Sequence, residues 1–130
     1  MGRRVILVDD DPAMLSAMEL LLTDWGLSVV PCASFDAGRV ALTSSPPADA
    51  LIVDIRLGTF NGLHLAHLAK QINPKMCVVA DSGFDDPVLQ AEAQSIGAQL
   101  LLKPIDSTEL RRHLSTVLAA SEDECPQRAR

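Results

Sequence analysis

Leu51-Ile52-Val53-Asp54-Ile55 is a short apolar run broken by a single carboxylate, with Asp49 before it and Gly58 after it. Such a run between turn-formers reads as a strand buried on both faces, the kind found in parallel sheets. Asp54 stands where that strand runs out, and a carboxylate there is either a buried liability or a working group. A second run, Val5-Ile6-Leu7-Val8, ends in Asp9-Asp10-Asp11. In open α/β sheets, groups at the carboxyl ends of neighbouring strands converge on one crevice. The two acidic sites are therefore expected to meet.

Working outward, strands are expected at Val5–Val8, Leu27–Cys32, Ala50–Val53, Met76–Ala80 and Leu100–Leu102. Helices alternate with them. Asp11-Pro12 and Asp86-Pro87 each supply a cap followed by proline at the first helical position. Leu15, Met18, Leu22 and Trp25 recur at helical spacing ahead of Gly26, a natural stop, which makes Trp25 a core residue. Ser34 can cap a helix through Thr43 that presents Phe35, Ala37, Val40 and Ala41. Pro31 suits an edge strand. Asp106 and Glu109 are spaced as a capping box for a last helix through Leu118. Five βα units with short connections predict one α/β domain over residues 3–120, a doubly wound three-layer sandwich. Residues 121–130 are polar and aperiodic and are expected to form a disordered tail.

The composition narrows the function. At 130 residues there is room for one domain with a substantial core. No apolar run approaches a membrane span, and Met1-Gly2-Arg3-Arg4 leads straight into a short strand rather than a signal peptide. A cytoplasmic protein without membrane contact is expected. The net charge of −6 with scattered basic residues disfavours direct nucleic-acid binding. Cys32, Cys77 and Cys125 lack a CxxC spacing and read as free thiols. His64 and His67 lie three apart without an acidic or cysteine neighbour in sequence and read as a solvated helix face.

Four of the five strands end in something chemically distinctive: Asp9-Asp10-Asp11, Asp54, Ser82 and Lys103. Each alone has a plain structural reading, as a cap, a turn residue or a solvated cation. Their joint occurrence at strand ends favours a site. Asp9, Asp10 and Asp54 brought together would repel one another and raise each other's pKa unless a cation sits among them. Oxygen ligands of this kind suit Mg²⁺. A carboxylate held so can attack phosphorus and form an aspartyl phosphate, whose oxygens then need the Lys103 ammonium and the Ser82 hydroxyl.

Over essentially Arg3 to Leu118 the sequence resembles the receiver domain of two-component response regulators. The matching residues are Val5-Ile6-Leu7-Val8-Asp9-Asp10-Asp11-Pro12, Val53-Asp54-Ile55-Arg56-Leu57 with Gly62 downstream, Ser82-Gly83 and Lys103-Pro104. The resemblance implies a flavodoxin-like sheet of strand order 2-1-3-4-5. It implies that Asp54 is the phosphoacceptor and that Asp9, Asp10, Asp54 and the Arg56 backbone carbonyl hold Mg²⁺. Ser82 matches the switch hydroxyl, and Lys103 matches the site lysine, joined to Pro104 by a cis bond. The implied partners are a sensor histidine kinase or histidine phosphotransfer protein, and an output protein or second copy through the helix 4, strand 5, helix 5 face. The implied role is signalling; the only catalysis is of the domain's own phosphorylation and dephosphorylation.

Four departures from the family pattern stand out. Gly58 replaces a usual proline, Leu100 a usual aromatic switch residue and Asp81 a usual apolar residue, and the Gly97 to Lys103 segment is one residue short. By strand alternation Asp81 is expected to point away from the Ser82 side.

Three other readings compete. A flavin-binding domain shares the topology, but three aspartates after strand one would repel a flavin phosphate. An aspartate-nucleophile phosphatase would place its nucleophile after strand one in a DxDx[TV] pattern, which Asp9-Asp10-Asp11-Pro12-Ala13 does not complete. A phosphorylation-independent pseudo-receiver that only binds protein would not need the full acidic set.

Overall fold

In the computed structural model, which describes residues 3–44 and 46–123, five parallel strands form one sheet: β1 (Arg4–Val8), β2 (Ser28–Cys32), β3 (Ala50–Asp54), β4 (Cys77–Ser82) and β5 (Gln99–Leu102). Their order is β2-β1-β3-β4-β5, as expected of a doubly wound fold, with β2 and its Pro31 at one edge. The helices are α1 (Pro12–Asp24), α2 (Phe35–Thr43), α3 (Leu63–Ile72), α4 (Pro87–Ser95), α5 (Ser107–His113) and α6 (Ser115–Asp123).

Alternation along the strands divides the core in two. Ile6, Val8, Leu51, Val53, Val78 and Ala80 face one way, onto Leu65, Ala66 and Ala69 of α3. Val5, Leu7, Ile52, Val79 and Leu101 face the other way, onto Met18 and Leu22 of α1 and Leu110 of α5. β1 and β3 are buried on both faces, which is why their sequences read as continuous apolar runs.

The caps form as the sequence indicates. Asp11 accepts from the Ala13 and Met14 N–H groups, Ser34 from Ala37, Asp86 from Val88, and Asp106 from Thr108 and Glu109. Each such cap contributes about 1 kcal/mol.

Five local expectations are revised. In α2 the buried residues are Gly38 and Leu42, while Val40 is 49% exposed. Gly38 is the reason: an added Cβ there would meet Val8 and Leu65 side chains at 2.9 and 3.0 Å, so the helix lies closest to the sheet at this point. The loop after β3 contains a small antiparallel hairpin, Arg56–Leu57 with Phe60–Asn61, and Phe60 stacks on Phe35 with ring centroids 4.7 Å apart. β4 runs two residues further than predicted and takes in Asp81 and Ser82. The last helix is broken at the buried Leu114. Its second part reaches Asp123, three residues into the expected tail; 124–130 fall outside the described residues.

Candidate functional site

Parallel register sets the site. Val8 pairs with Val53, and Asp54 pairs with Asp81. Register partners on adjacent parallel strands point to the same side of the sheet, so Asp54 and Asp81 share a face. Lys103 follows directly after β5; its N–H donates to the Ser82 carbonyl of β4 at 2.8 Å, and its peptide bond to Pro104 is cis.

The Asp54 side chain is held at both oxygens. Oδ1 accepts from the Arg56 N–H at 3.2 Å, and Oδ2 accepts from Lys103 Nζ at 3.2 Å. Asp9 Oδ1 accepts from the Asp11 N–H at 2.9 Å. One oxygen each from Asp9, Asp54 and Asp81 lies within 4.8 Å of the others, and all three residues are buried. Above them opens a cleft of about 440 Å³ lined by Asp10, Asp54, Arg56, Ser82, Phe84 and Lys103, among others.

The electrostatics follow from burial. It pushes the Asp9 carboxyl above its ordinary range; the Asp11 N–H opposes that and the Asp54 charge adds to it. Burial, reinforced by the Asp54 charge, raises Asp81 to about 7. For Lys103 burial works downward, but the Asp81 and Asp54 carboxylates outweigh it and hold the ammonium above its usual value.

Asp81 meets the expectation from alternation, yet it joins a site to which the sequence reading did not assign it. It lies off the Ser82 side, as alternation requires, but that is the side on which Asp54 and Lys103 sit. Lys103 Nζ is 3.6 Å from Asp81 Oδ1, an ion-pair distance. Extending strand four by two residues and setting its register against β3 is the signal that would have placed it. The crowded carboxylates are consequently Asp9, Asp54 and Asp81. Asp10 is exposed, and its Oδ2 accepts from the Gly58 N–H at 2.9 Å.

Ser82 lies at the cleft, but its hydroxyl is occupied within its own loop. Oγ accepts from the Phe84 N–H at 3.0 Å and donates to the Phe84 carbonyl at 3.2 Å. The Arg56 guanidinium sits 4.7 Å from the centroid of the Phe84 ring, joining the two loops that flank the cleft.

Gly62 fixes the loop beneath Asp54. Its N–H donates to the Ile55 carbonyl at 2.6 Å, and an added Cβ would collide with the Asp54 carbonyl oxygen. Gly62→Ala is thus expected to cost more than about 2 kcal/mol, since backbone rather than a flexible side chain must move. Urea denaturation midpoints measure it. An unchanged midpoint would mean that the loop yields freely.

Away from the cleft, His64 and His67 are exposed, and Glu92 of α4 lines the same small groove, an acidic neighbour invisible to sequence spacing. Cys32 and Cys77 are free thiols, and Cys125 lies outside the described residues.

A sequence model of the response regulator receiver domain matches residues 5–115. The chain belongs to this family. Among curated relatives, the transcriptional regulatory protein ZraR of Escherichia coli K12 is 29% identical over 118 residues, which are 88% of this receiver and 26% of ZraR. The photosynthetic apparatus regulatory protein RegA of Cereibacter sphaeroides is 30% identical over 113 residues, 86% of this receiver and 61% of RegA. The receiver thus spans only part of the length of each. Among solved structures, a response regulator receiver protein from Sinorhizobium medicae superposes with a TM-score of 0.82 at 29% identity, over 92% of this chain and 97% of that one. A receiver domain protein from Clostridium thermocellum shows the same fold at 23% identity and TM-score 0.82.

The receiver's donor set fits a hard divalent cation. It consists of buried carboxylate oxygens close enough to share one ion. Asp81 Oδ1 has no hydrogen-bond partner among the described residues.

Proposed function

We propose that this receiver accepts a phosphoryl group on Asp54 from a phosphohistidine, carried by a sensor histidine kinase or a histidine phosphotransfer protein, in a Mg²⁺-dependent reaction. The observation that carries this reading is the Asp54 carboxylate at the end of β3, buried yet bordering an open cleft and held 3.2 Å from Lys103 Nζ. A carboxylate oxygen of Asp54 attacks phosphorus. The new O–P bond forms as the N–P bond of the phosphohistidine breaks, and the departing imidazole nitrogen keeps the electron pair. Lys103 donates to the phosphoryl oxygens as charge builds on them. Asp9 and Asp54 would hold Mg²⁺, with Asp10 and the Arg56 carbonyl at the positions the family resemblance adds. The bound ion supplies neutralisation of phosphoryl charge.

On this reading the domain turns over no substrate but its own phosphoryl group and works in the cytoplasm. In keeping with that, no helix among the described residues is long and apolar enough to cross a membrane. Exposed Val88 on α4 and Leu102 on β5 support an output contact, with a downstream protein or a second copy, through the α4-β5-α5 face. The direct test is incubation with acetyl phosphate and Mg²⁺ followed by mass-spectrometric mapping. The phosphoryl group is expected on Asp54. A modification on Ser82, or none in a protein shown to bind Mg²⁺, would sink the assignment.

The site also indicates where the response concentrates. To reach a phosphoryl group the Ser82 hydroxyl must leave the Phe84 backbone, which disturbs Phe84 and its contact with Arg56. Leu100, in the position of the family's aromatic switch, is half-buried against the α3 side of the core and has neither ring nor hydroxyl to exchange between two states. A signal shifts an equilibrium only through differential interactions with its two states. Amide NMR shifts on adding beryllofluoride are therefore expected to be largest from Ser82 to Asp86. Shifts at Leu100 and Leu110 equal to those at Gly83 to Asp85 would show that β5 switches without an aromatic.

A further inference from the structure

We propose that Asp81 is a positioning residue that holds Lys103 against the phosphoryl group and so weakens the receiver's grip on that group. The inference rests on the reading that Asp54 is the phosphoacceptor, and it leaves the acidic pair after β1 its role toward the cation. It concerns a position where the family pattern has an apolar residue.

Three observations carry it. The first is that one ammonium serves two carboxylates. Lys103 Nζ lies 3.2 Å from Asp54 Oδ2 and 3.6 Å from Asp81 Oδ1. The register of β3 against β4 pairs Asp54 with Asp81, which keeps both carboxylates on the face where Lys103 arrives.

The second is that Asp81 depends on this ammonium more than Asp54 does. The Asp81 side chain is 4% exposed, and its Oδ1 has no hydrogen-bond partner among the described residues. Asp54 borders the open cleft, and its Oδ1 also accepts from the Arg56 N–H. Withdrawing the counter-charge of a buried carboxylate is costly, because water does not take its place. Asp81 therefore retains its share of Lys103.

The third is the closeness of like charge. One oxygen of Asp81 lies within 4.8 Å of one oxygen each of Asp54 and Asp9. Phosphorylation replaces the single negative charge of Asp54 with a phosphoryl group carrying about two. Lys103 must then divide itself between that group and Asp81, or leave Asp81 buried and unpaired. Either way the bound phosphoryl group is held less firmly than beside an apolar residue. Since the group passes between an imidazole nitrogen and a carboxylate oxygen, weaker retention on Asp54 displaces the equilibrium toward the histidine.

The test is binding of the phosphoryl mimic beryllofluoride, followed by fluorine NMR at saturating Mg²⁺ and pH 8. Asp81→Asn keeps the size of the side chain and removes its charge; it is expected to bind the mimic about tenfold more tightly than wild type, or better. Asp81→Val restores an apolar residue and offers no donor; it is expected to gain about fivefold or more. Mg²⁺ alone is expected to bind both variants about threefold more weakly, since a neighbouring negative charge is gone. These opposite signs separate a charge effect from a packing defect, which would weaken both ligands. Loss of both ligands together therefore overturns the inference. So does a gain confined to Asp81→Asn, which would mean that the new amide donates to the mimic. If wild type with Mg²⁺ neither binds beryllofluoride nor is phosphorylated on Asp54 by acetyl phosphate, the phosphoacceptor reading falls and takes this inference with it. If wild type does both and the variants bind the mimic no more tightly, this inference alone falls.

Discussion

Asp54→Asn should lose phosphoryl transfer by about a thousandfold or more, to the limit of detection in an intact-mass assay with acetyl phosphate and Mg²⁺. The substitution keeps shape and most contacts. An amide oxygen can still accept the Arg56 N–H that Asp54 Oδ1 accepts at 3.2 Å, and Lys103 retains Asp81 as a counter-charge at 3.6 Å. What disappears is the anionic oxygen that attacks phosphorus, since a neutral amide is a poor nucleophile. The defect should therefore be chemical rather than structural, and the variant should unfold at nearly the wild-type urea midpoint. Undiminished incorporation into a well-folded Asp54→Asn would place the acceptor elsewhere.

Asp81→Asn should stabilise the protein in EDTA at pH 8. The folded-state pKa of Asp81 is raised to about 7 from an ordinary 3.8, first by burial and then by the Asp54 charge. A carboxyl shifted upward binds its proton more tightly when folded. Its favourable contribution is full below about pH 4 and is lost as pH rises through about 7. At pH 8 the ionised group therefore opposes folding, by linkage as much as about 4 kcal/mol. A buried amide without a full set of partners returns about 1–2 kcal/mol of that gain. The net expectation is a stabilisation of about 2 kcal/mol at pH 8 that vanishes or reverses at pH 5. Urea midpoints at the two pH values decide it. A variant less stable than wild type at pH 8 would show that the Lys103 ion pair outweighs the burial of the charge. Through Asp81, wild type itself should gain stability in EDTA as pH falls from 8 to 5, and the Asp9 carboxyl shifts in the same direction.

Much of this was legible in the sequence because it is encoded locally. The apolar runs of β1 and β3, the two cap-proline pairs and the Ser34 and Asp106 caps follow from burial on two faces and from unpaired N–H groups at helix starts. The positions of Asp9 and Asp54 follow from where those strands end. What escaped depends on contacts between distant segments. Asp81 faces the site because β4 continues past Ala80 in register with Asp54, and strand ends are the least certain part of any sequence reading. Asp10 lies at the rim because a backbone N–H in another loop accommodates it there. Val40 turned outward because Gly38 lets α2 sit against Val8 and Leu65, a fit that an apolar count along one helix does not register.

The chain has one tryptophan and no tyrosine. Trp25 ends α1, and the Arg111 guanidinium of α5 lies 5.1 Å from the centroid of its ring. Tryptophan emission under near-ultraviolet excitation thus comes from a single chromophore at the meeting point of the first helix and the fifth. Withdrawal of α5 from α1, by unfolding or by docking of another protein, would change the charge above that ring and with it the colour and yield of the light. The receiver carries its own optical gauge on the face opposite α2, α3 and α4, and needs no attached dye to be read.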